Sequence, residues 1–434
     1  MYYFYIALFY LLLPFWSIFH YVRGLKKKDY HARWKEFLGF YAKNHAQQVI
    51  WLHAASVGEV EAANALINYF HDNSVYPVLV TTSTEPGYQR VLALQGNRVE
   101  HVYMPLDMPD VMSRFFNHFQ PRLVLIMETE IWPVLFTKCA NKSIPLFIVN
   151  ARLSETSAKG YRKLRFFLQK VFAGISGVIV QTEVDALRYR DIGLNAEKIS
   201  VSGNIKLDMI IPASINEQAA QIKHNLFPGR LIFIVGSTHQ GEEGLFLSAY
   251  QRLKQQFPSL LLILVPRQPK RAHEISSLCL ADKLSVVRRT ESKPCAESTD
   301  VFLVDTIGEL KQMYAVAECS FVAGSMVPIG GHNIFEPILL DVPVLFGPYM
   351  KNSELLAQQL LDAKGAVQCF NVEDIVNNVA LVLSQPQVKN QLVSAGRVFV
   401  EQNKGALGRT VEVINRLCGT RTNPDINLTD TTRL

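Results

Sequence analysis

The sequence predicts an α/β protein with two Rossmann-like domains that face a cleft, preceded by an N-terminal membrane-anchoring segment. Three observations support this prediction. The chain has 434 residues, whereas single hydrophobic cores stop growing at roughly 250–300 residues, so two domains are expected. Short runs rich in Val, Ile and Leu alternate with stretches long enough for crossover helices, which is typical of parallel sheets covered on both faces. The first 21 residues are almost continuously apolar.

The composition describes a globular protein with ample core material. Hydrophobic residues make up 49% of the chain and charged residues 19%, which excludes a disordered protein. Forty-four basic residues against 38 acidic ones leave a net charge of +6, too small an excess to indicate nucleic acid as a partner. The six cysteines show no C-x-x-C pair and no regular spacing. A disulfide framework or a zinc cage is therefore not expected, and a reducing compartment fits.

Residues 1–22 are predicted to be a retained membrane anchor. Only Pro14, Ser17 and His20 interrupt the apolar run Met1–Tyr21, and it has neither a charged start nor a small-residue cleavage site. About 20 residues suffice to span a bilayer core. The next segment, 21–43, is basic, which predicts that the rest of the chain is cytoplasmic. Its basic residues are Arg23, Lys26, Lys27, Lys28, Arg33, Lys35 and Lys43. The aromatic content leaves open a shallow interfacial helix instead of a spanning one.

The first domain is predicted over residues 23–203. Its candidate strands are Val49–His53, Pro77–Thr82, His101–Pro105, Leu123–Glu128, Pro145–Ala151, Gly177–Gln181 and Lys198–Ser202. Residues 204–230 break this rhythm and are predicted to be an interdomain linker.

The second domain is predicted over residues 231–420, followed by a flexible tail at 421–434. Its candidate strands are Leu231–Gly236, Leu260–Pro266, Leu284–Arg288, Val301–Asp305, Ser320–Ala323, Val342–Phe346 and Ala366–Cys369. In sheets of this kind, ligands bind outside the carboxyl ends of the strands.

The most informative stretch of the second domain follows the small-residue strand that starts at Phe321. It bends through Gly330-Gly331 and is predicted to enter a helix at Asn333, with Glu336 three residues later as a variant of a capping box. Two glycines before a helix let backbone amides approach a phosphate closely. The pattern by itself leaves open that Glu336 only caps its own helix.

Polar residues that could carry chemistry end several strands of the first domain. Glu59 follows the first strand in the run HAASVGE, and it could be a general base or only a partner of the helix dipole. Glu128 and Glu130 end a buried strand, where carboxylates are costly unless solvated or paired. On a strand they would share one face, so at least one is expected to face the cleft. Residues 150–154, NARLS, end the next strand at the same edge.

Further candidates suggest a nucleotide-phosphate site. Lys206, in the run GNIK, is predicted to reach across the cleft, and Gly236–His239 offers hydroxyls and free amides. Together with the glycine turn and a ribose-binding Glu336, these groups are predicted to converge on one crevice. The other residues assigned to it are Pro266, Arg267, Ile307, Gly308 and Glu309. His332 could bind a ligand or stabilise its loop. There is no D-x-D pair, H-E-x-x-H or Walker A pattern, so no metal is expected and side chains would supply the cations at a leaving phosphate.

Residues 159–170, KGYRKLRFFLQK, form a basic and aromatic cluster. They contain five basic residues and no acidic ones, with aromatic rings between them. A solvated helix face can look like this. Next to an N-terminal anchor, a surface that faces anionic lipid is the favoured interpretation.

Across nearly its whole length the chain resembles the 3-deoxy-D-manno-octulosonic acid (Kdo) transferases of lipopolysaccharide assembly. The motifs that carry the resemblance are the anchor with its basic segment, HAASVGE, METEIWP, NARLS, GNIKLD, STHQGEE, LVPRQPKR, DTIGEL and GGHNIFE. The resemblance implies the B-type glycosyltransferase fold. It also implies transfer of Kdo from the donor CMP-Kdo to a lipid A precursor (lipid IVA) at the cytoplasmic face of the inner membrane, with inversion, CMP as leaving group and no cofactor.

The resemblance also implies roles for individual residues. Glu59 matches the family's proton acceptor, and Glu128 and Lys206 match groups that stabilise the transition state. The segments that match those holding CMP are Pro266-Arg267, Ile307-Gly308-Glu309 and Asn333-Ile334-Phe335-Glu336. The chain departs from the family where a proline or leucine is expected inside the last motif, and where PRQPKR replaces a PRHPER-like run. The contacts that the resemblance implies come mainly from backbone, Asn333, Glu336 and Arg267, and these departures replace none of the three residues.

Two other functions compete with Kdo transfer. A sugar-nucleotide epimerase can use the same two-domain fold, but such enzymes are soluble and need no lipid acceptor. A membrane-tethered nucleotide-binding scaffold would not require the set Glu59, Glu128 and Lys206.

Overall fold

The computed structural model describes residues 1–24, 33–41, 47–209 and 211–419. The predicted tail at 421–434 and much of the basic segment after the anchor lie outside these residues.

The described chain divides into two compact units. The first holds the described residues up to Met209 together with those from Lys404 to Gly419, and the second holds the residues between them. Each unit is built around one seven-stranded parallel sheet. All fourteen predicted strands are present, with every end within two residues of its predicted position.

The first unit has the strand order β3-β2-β1-β4-β5-β6-β7. Its strands are Val49–His53 (β1), Val78–Thr82 (β2), Glu100–Tyr103 (β3), Pro121–Met127 (β4), Leu146–Ala151 (β5), Gly177–Val180 (β6) and Ile199–Val201 (β7). Its helices up to Met209 are Tyr2–Gly24 (α1), Val57–Asn73 (α2), Glu85–Gln95 (α3), Pro109–Phe119 (α4), Pro133–Asn141 (α5), Glu155–Arg162 (α6), Arg165–Phe172 (α7) and Glu183–Asp191 (α8). Neighbouring residues of β1 belong to two different cores, since Trp51 packs in one and Leu52 in the other. This is why the strand is apolar throughout rather than alternating.

The second unit has the strand order β10-β11-β9-β8-β12-β13-β14. Its strands are Leu231–Thr238 (β8), Leu260–Pro266 (β9), Val286–Arg288 (β10), Val301–Leu303 (β11), Cys319–Val322 (β12), Val344–Phe346 (β13) and Val367–Gln368 (β14). Its helices are Ala213–Leu226 (α9), Glu243–Gln256 (α10), Ala272–Ala281 (α11), Leu310–Ala315 (α12), Phe335–Leu339 (α13), Glu354–Asp362 (α14), Val372–Ser384 (α15) and Pro386–Asn403 (α16).

The structure places the domain boundaries differently from the prediction. The predicted linker 204–230 contains structured parts of both units: a 3₁₀ helix Ile205–Asp208 in the first, and helix α9, which packs on the second unit's core through Ala219. The predicted second domain also ends too late. The last helix, Ala406–Gly419 (α17), returns to the first unit because Val411 and Ile414 are buried in that unit's core. The carboxylate of Asp208 receives the backbone N–H of Gly405 at 2.6 Å and fixes the start of this helix.

Helix α1 packs one of its faces on the first unit. Tyr2 and Tyr5 contact its core, and the Tyr5 hydroxyl donates a hydrogen bond to Asp107 at 3.0 Å. The other face carries apolar side chains that remain exposed: Tyr3, Phe4, Leu8, Leu11, Leu12 and Phe15. Within the described ranges, no helix combines the length and the apolarity needed to cross a bilayer.

Candidate active site

Each sheet has a switch point, beside the strand that comes first in the chain. The next strands are added on one side of that first strand, and the later strands on its other side. In the first unit this point lies between β1 and β4, and in the second between β8 and β12. Loops that leave neighbouring parallel strands at such a point diverge and leave room for a ligand. The predicted residues Glu59 and Glu128 follow β1 and β4, so the first candidate site is at this place.

Glu59 is held at the start of helix α2 by the chain that leads into the helix. Its carboxylate accepts the backbone N–H of Ala55 at 2.8 Å and the hydroxyl of Ser56 at 3.0 Å. The sequence left open whether Glu59 stabilises its helix or acts as a base, and the geometry is compatible with both. A carboxylate fixed by two donors has a defined direction, which a proton acceptor needs.

The surroundings of Glu59 favour its protonated form. Burial is the largest cause, the charge of Glu128 adds to it, and together with Glu130 they raise the pKa of Glu59 to about 7 against the opposing effects of the Ala55 N–H and His53. A carboxyl group with a pKa near neutrality can accept a proton and release it again at physiological pH.

Glu128 and Lys206 form an ion pair within the first unit. The Lys206 ammonium lies 3.2 Å from a carboxylate oxygen of Glu128. Burial by itself would raise the pKa of Glu128, but the charges of Lys206 and Arg152 outweigh it and hold the pKa below its usual value. Within the first unit the partner of Lys206 is Glu128, because the short 3₁₀ helix that carries Lys206 belongs to that unit. That Lys206 can also reach across the cleft stays a prediction.

This 3₁₀ helix is held in place by asparagines. Asn150, at the end of β5, accepts the backbone N–H of Ile205 at 3.0 Å, and Asn204 accepts that of Lys206 at 3.0 Å. Two motifs that the sequence showed separately, NARLS and GNIKLD, are therefore directly bonded.

Glu128 and Glu130 do not share a strand face as predicted. Strand β4 ends at Met127, and Glu128 has a left-handed backbone conformation with φ of 55°. This conformation turns the chain, so the alternation of a strand no longer applies. Glu130 points instead to His53, whose Nε2 lies 2.7 Å from its carboxylate. Sequence reasoning did not assign a role to His53, although its place at the end of β1 was a signal.

In the second unit, Glu242 joins the two loops at the switch point. Its buried carboxylate accepts the backbone N–H groups of His239 at 2.9 Å, Gly324 at 2.8 Å and Met326 at 3.0 Å. Glu242 lies in the motif STHQGEE, but the sequence did not single it out, since two of its three partners, Gly324 and Met326, come from a distant loop.

His239 and His332 face each other in these loops. Their Nε2 atoms are 2.8 Å apart, and their rings are stacked. Gly324 allows this approach, because a Cβ atom there would lie 2.9 Å from the His332 ring. Burial lowers the pKa of His332 to about 4, with the charge of Arg267 as the next cause. The structure therefore brings Arg267 near both histidines and places His332 in a fixed loop contact.

The Ile307-Gly308-Glu309 loop presents its backbone and one apolar side chain. Ile307 is 86% exposed, and Gly308 has a φ of 94° that side chains rarely adopt. The carboxylate of Glu309 is already paired, with Arg289 at 2.9 Å and with the hydroxyl of Thr306. A ligand here would meet the loop's amides and Ile307 rather than a free carboxylate.

The glycine turn leads into a helix that begins later than predicted. Helix α13 starts at Phe335, not at Asn333, and has only five residues. Asn333 accepts the backbone N–H of Phe335 at 3.1 Å, so it stabilises the turn before the helix and the predicted capping box is not formed. The side chains of Ile334 and Phe335 are buried in the core. Of the predicted nucleotide-binding residues 333–336, these two could contact a ligand only through their backbone.

Comparisons with known proteins agree with one family. A profile of the 3-deoxy-D-manno-octulosonic-acid transferase (kdotransferase) family matches residues 32–209. A 3-deoxy-D-manno-octulosonic acid transferase of Haemophilus influenzae is 35% identical over 418 residues, covering 95% of this chain and 97% of that protein. The enzyme of the same name from Bordetella pertussis is 29% identical over 381 residues, covering 85% and 87%.

Solved structures with a similar fold have low sequence identity. UDP-GlcNAc 2-epimerase from Neisseria meningitidis has a TM-score of 0.57 and 13% identity over 85% of this chain and 100% of that chain. A glycosyltransferase from Rickettsia africae has a TM-score of 0.57 and 12% identity over 86% and 99%. These likenesses show the two-domain Rossmann-like fold. From the sequence relatives it follows that the chain belongs to the 3-deoxy-D-manno-octulosonic acid transferase family and is a glycosyltransferase.

Proposed function

We propose that this enzyme transfers Kdo from CMP-Kdo to a sugar hydroxyl of a lipid A precursor, with inversion at the anomeric carbon. The observation that supports it most is the position of Glu59, a fixed carboxyl group with a pKa of about 7 at the switch point of the first sheet. The family membership supports Kdo as the transferred sugar, and the lipid A precursor is proposed as its acceptor.

In the proposed reaction Glu59 accepts the proton of the acceptor hydroxyl. The hydroxyl oxygen then forms a bond to the anomeric carbon of Kdo while the bond from that carbon to the phosphate oxygen of CMP breaks. General base catalysis of this kind contributes typically about 10²–10⁴-fold to a rate. The proton ends on Glu59, and the electron pair of the broken bond leaves with CMP.

Lys206 is proposed to stabilise the transition state from the acceptor side. Its ammonium is oriented by the ion pair with Glu128, so it need not reorganise when charge develops. It could also attract the carboxylate of Kdo. Glu128 then has the role of keeping Lys206 in place.

The second unit is proposed to bind the CMP part of the donor. CMP-Kdo has a single phosphodiester link, so one negative charge develops as Kdo leaves. The exposed Arg267 and backbone amides of the loops at 307–309 and 330–333 can stabilise one charge without a metal ion. The N–H of Gly331 is not among them, because it donates to the carbonyl oxygen of Gly324 at 2.8 Å. Side-chain cations are therefore proposed at the leaving phosphate.

We further propose that the protein lies on the cytoplasmic face of the inner membrane, with α1 in the lipid interface. The exposed face of α1 is apolar, while Tyr5 and Tyr10 tie the helix to Asp107 at 3.0 Å and to Asp110 at 2.6 Å on the first unit. A helix held this way is suited to lie along a surface.

In the basic and aromatic cluster at residues 159–170, Phe166 is 85% exposed. We propose that this cluster contacts the acceptor's phosphates and the lipid surface.

The test is to incubate the purified protein with CMP-Kdo and a tetra-acylated lipid A precursor in the presence of a chelator, and to weigh the lipid product. The expected result is a lipid product heavier by whole Kdo units. The rate at which this product forms is expected to fall by at least about 100-fold in Glu59→Gln. CMP binding by this variant should stay at the wild-type level. No mass gain from a protein that binds CMP would contradict the proposed acceptor, and failure to bind CMP would contradict the proposed donor site.

Epimerase activity is the alternative that the sequence left open, and the likeness to UDP-GlcNAc 2-epimerase at 13% identity shows the fold alone and does not favour it. An epimerase would change the configuration of a sugar nucleotide without any lipid. Product analysis of the same incubation with the lipid omitted separates the two activities.

A further inference from the structure

Asp107 is a fully buried carboxylate in the loop after β3, and it caps the first turn of helix α5. Its Oδ2 accepts the backbone N–H of Val134 at 2.9 Å, and its Oδ1 accepts that of Leu135 at 2.8 Å. Helix α5 begins at Pro133, which has no N–H, and the preceding Trp132 makes no side-chain cap. The first N–H groups of an α-helix have no partner within the helix. This turn therefore depends on a carboxylate from another part of the chain.

The third donor to Asp107 comes from the N-terminal helix α1. The hydroxyl of Tyr5 donates to Oδ2 at 3.0 Å, the same oxygen that accepts the N–H of Val134. Burial raises the pKa of Asp107 to about 6, although all three donors oppose this effect. A buried carboxylate that loses one of its donors is left with a charge that is less well compensated. Removal of the Tyr5 hydroxyl should therefore weaken the cap of helix α5.

The loop that carries Asp107 is also held by the short 3₁₀ helix Trp34–Leu38, which lies between α1 and β1. The backbone carbonyl of Phe37 accepts the N–H of Leu106 at 2.9 Å. The ring of Phe37 stacks on that of Tyr103 at the end of β3, with 5.0 Å between the ring centres. The part of the chain before β1 is therefore bonded to this loop at two places, here and through helix α1.

The segment 128–132, which contains Glu128, joins β4 to helix α5. At its start the N–H of Glu128 donates to a carbonyl oxygen of β5 at 3.0 Å, and its middle is held by the contact of Glu130 with His53 at 2.7 Å. Its end leads directly into the turn that Asp107 caps. Glu128 has a φ of 55°, and a non-glycine residue keeps such a conformation only where its surroundings hold it. The cap of helix α5 is one of the contacts that hold it.

We propose that Tyr5 and Asp107 are positioning residues of the transfer reaction, and that through them the N-terminal helix keeps the segment 128–132 in its active geometry. Neither residue touches the substrate in this proposal, and both act through the first turn of α5. Helix α1 is then part of the support of the active site as well as a lipid contact. The inference rests on the proposed function, in which Glu128 keeps Lys206 in place.

The first test does not depend on activity. Hydrogen exchange followed by mass spectrometry is compared between wild type and Tyr5→Phe, which keeps the ring and removes the hydroxyl. Exchange in residues 128–136 is expected to become roughly 3–10-fold faster, as for the loss of one hydrogen bond. Tyr10→Phe is the matched control, because Tyr10 on the same helix donates to Asp110 at 2.6 Å and not to the cap of α5. Its exchange in residues 128–136 should equal that of wild type. Unchanged exchange there in Tyr5→Phe would overturn the inference.

The second test measures kcat per folded molecule for Kdo transfer to detergent-dispersed acceptor. We expect kcat to fall roughly 3–10-fold in Tyr5→Phe and roughly 10–100-fold in Asp107→Ala, because a small displacement of an active-site group is costly. The Kd for CMP is expected to stay at the wild-type value in both variants, since CMP is proposed to bind the second unit. Tyr10→Phe should keep the wild-type kcat. A wild-type kcat in a Tyr5→Phe protein whose segment 128–136 exchanges faster would overturn the positioning role.

A double-mutant cycle shows whether Tyr5 acts through Asp107. Once Asp107→Ala has removed the acceptor, adding Tyr5→Phe is expected to lower kcat by less than about twofold. The same fold loss in both backgrounds would mean that Tyr5 acts by another route and would overturn the inference. If Asp107→Ala does not fold, the comparison of Tyr5→Phe with Tyr10→Phe decides. Absence of any Kdo transfer by wild type would instead overturn the proposed function, while the exchange result would still stand, so the two failures are distinguishable.

Discussion

At the scale of single residues, the raised pKa that suits Glu59 to act as a base also lowers the stability of the folded protein at neutral pH. The folded pKa of Glu59, about 7, is above the ordinary glutamate value of 4.5, so between these pH values the folded state binds more protons than the unfolded state. Stability therefore falls as pH rises from about 4.5 to about 7 and then levels off. We predict that Glu59→Gln is more stable than wild type by about 1–3 kcal/mol at pH 8 and gains nothing at pH 4. Urea unfolding of both proteins at the two pH values measures this. An equal difference in the free energy of unfolding at the two pH values would contradict a pKa of about 7 for Glu59 in the folded protein.

The polar residue types at strand ends pointed to Glu59, Glu128 and Lys206 in the sequence. The sequence did not show that Lys206 pairs with Glu128. Lys206 contacts Glu128 from 78 positions away, and the direction of Glu128 depends on a left-handed backbone conformation. No local pattern encodes such a conformation in a non-glycine residue. The distant partners of His53 and Glu242 were missed for the same reason, since the order of strands in each sheet brings them close.

At the scale of elements, Asn150 connects a strand end to the segment that carries Lys206. It is fully buried, has a φ of 52°, and receives the N–H of Ile205 at 3.0 Å. Asn150→Ala leaves that N–H without its partner and puts a poor residue at a positive φ, so we predict a loss of about 2–4 kcal/mol in the free energy of unfolding. Lys206 should then be less well placed, and kcat should fall while CMP binding is unchanged. Asn371→Ala, which removes a helix cap in the second unit, should cost about 1 kcal/mol and leave kcat as it was. A normal kcat in Asn150→Ala would show that this connection does not position Lys206.

The N-terminal helix permits a second prediction at this scale. Leu11 and Leu12 are 68% and 49% exposed on α1, so replacing both by Glu should not disturb the core. If this face lies in the lipid interface, Leu11→Glu/Leu12→Glu should lose binding to anionic vesicles while its transfer rate on detergent-dispersed acceptor stays within about twofold, because exposed positions tolerate substitution. Co-sedimentation with vesicles measures the first property. Leu187→Glu, at a 57% exposed leucine of α8, is the control that should still bind. Unchanged binding by the double variant would exclude this face as the contact.

The element scale also shows how far the periodicity of the sequence reaches. Every predicted strand was confirmed, because a strand buried on both faces needs a continuous apolar run. The helix start at Asn333 and the linker were wrong, for opposite reasons. The pattern around Asn333 fits a capping box, but Asn333 bonds to Phe335 two residues on, which makes a turn instead. Residues 213–226 contain few large apolar residues, yet they form a helix that contributes Ala219 to the core of the second unit.

At the scale of the whole molecule, the two units have separate cores. The cores of the first unit include Trp51 and Ile414, and those of the second include Phe233 and Phe302. The chain passes from the first unit to the second and returns, so the last helix closes the unit that the N-terminal half began. The sequence could not show this return, because an amphipathic helix carries no mark of the unit on which it packs.

Separate cores predict that a ligand of one unit stabilises that unit alone. All four tryptophans, at positions 16, 34, 51 and 132, lie in the first unit, so tryptophan fluorescence reports its unfolding and far-UV circular dichroism reports both. CMP is proposed to bind the second unit. At a CMP concentration 100 times its Kd, the second unit should gain about 2.7 kcal/mol. The fluorescence transition in urea should stay where it is, while part of the dichroism transition moves to higher urea. In Arg267→Ala at the same CMP concentration, the dichroism transition should not move either. A fluorescence midpoint that moves together with the dichroism would mean that the units unfold as one, and that donor binding in one unit is felt throughout the other.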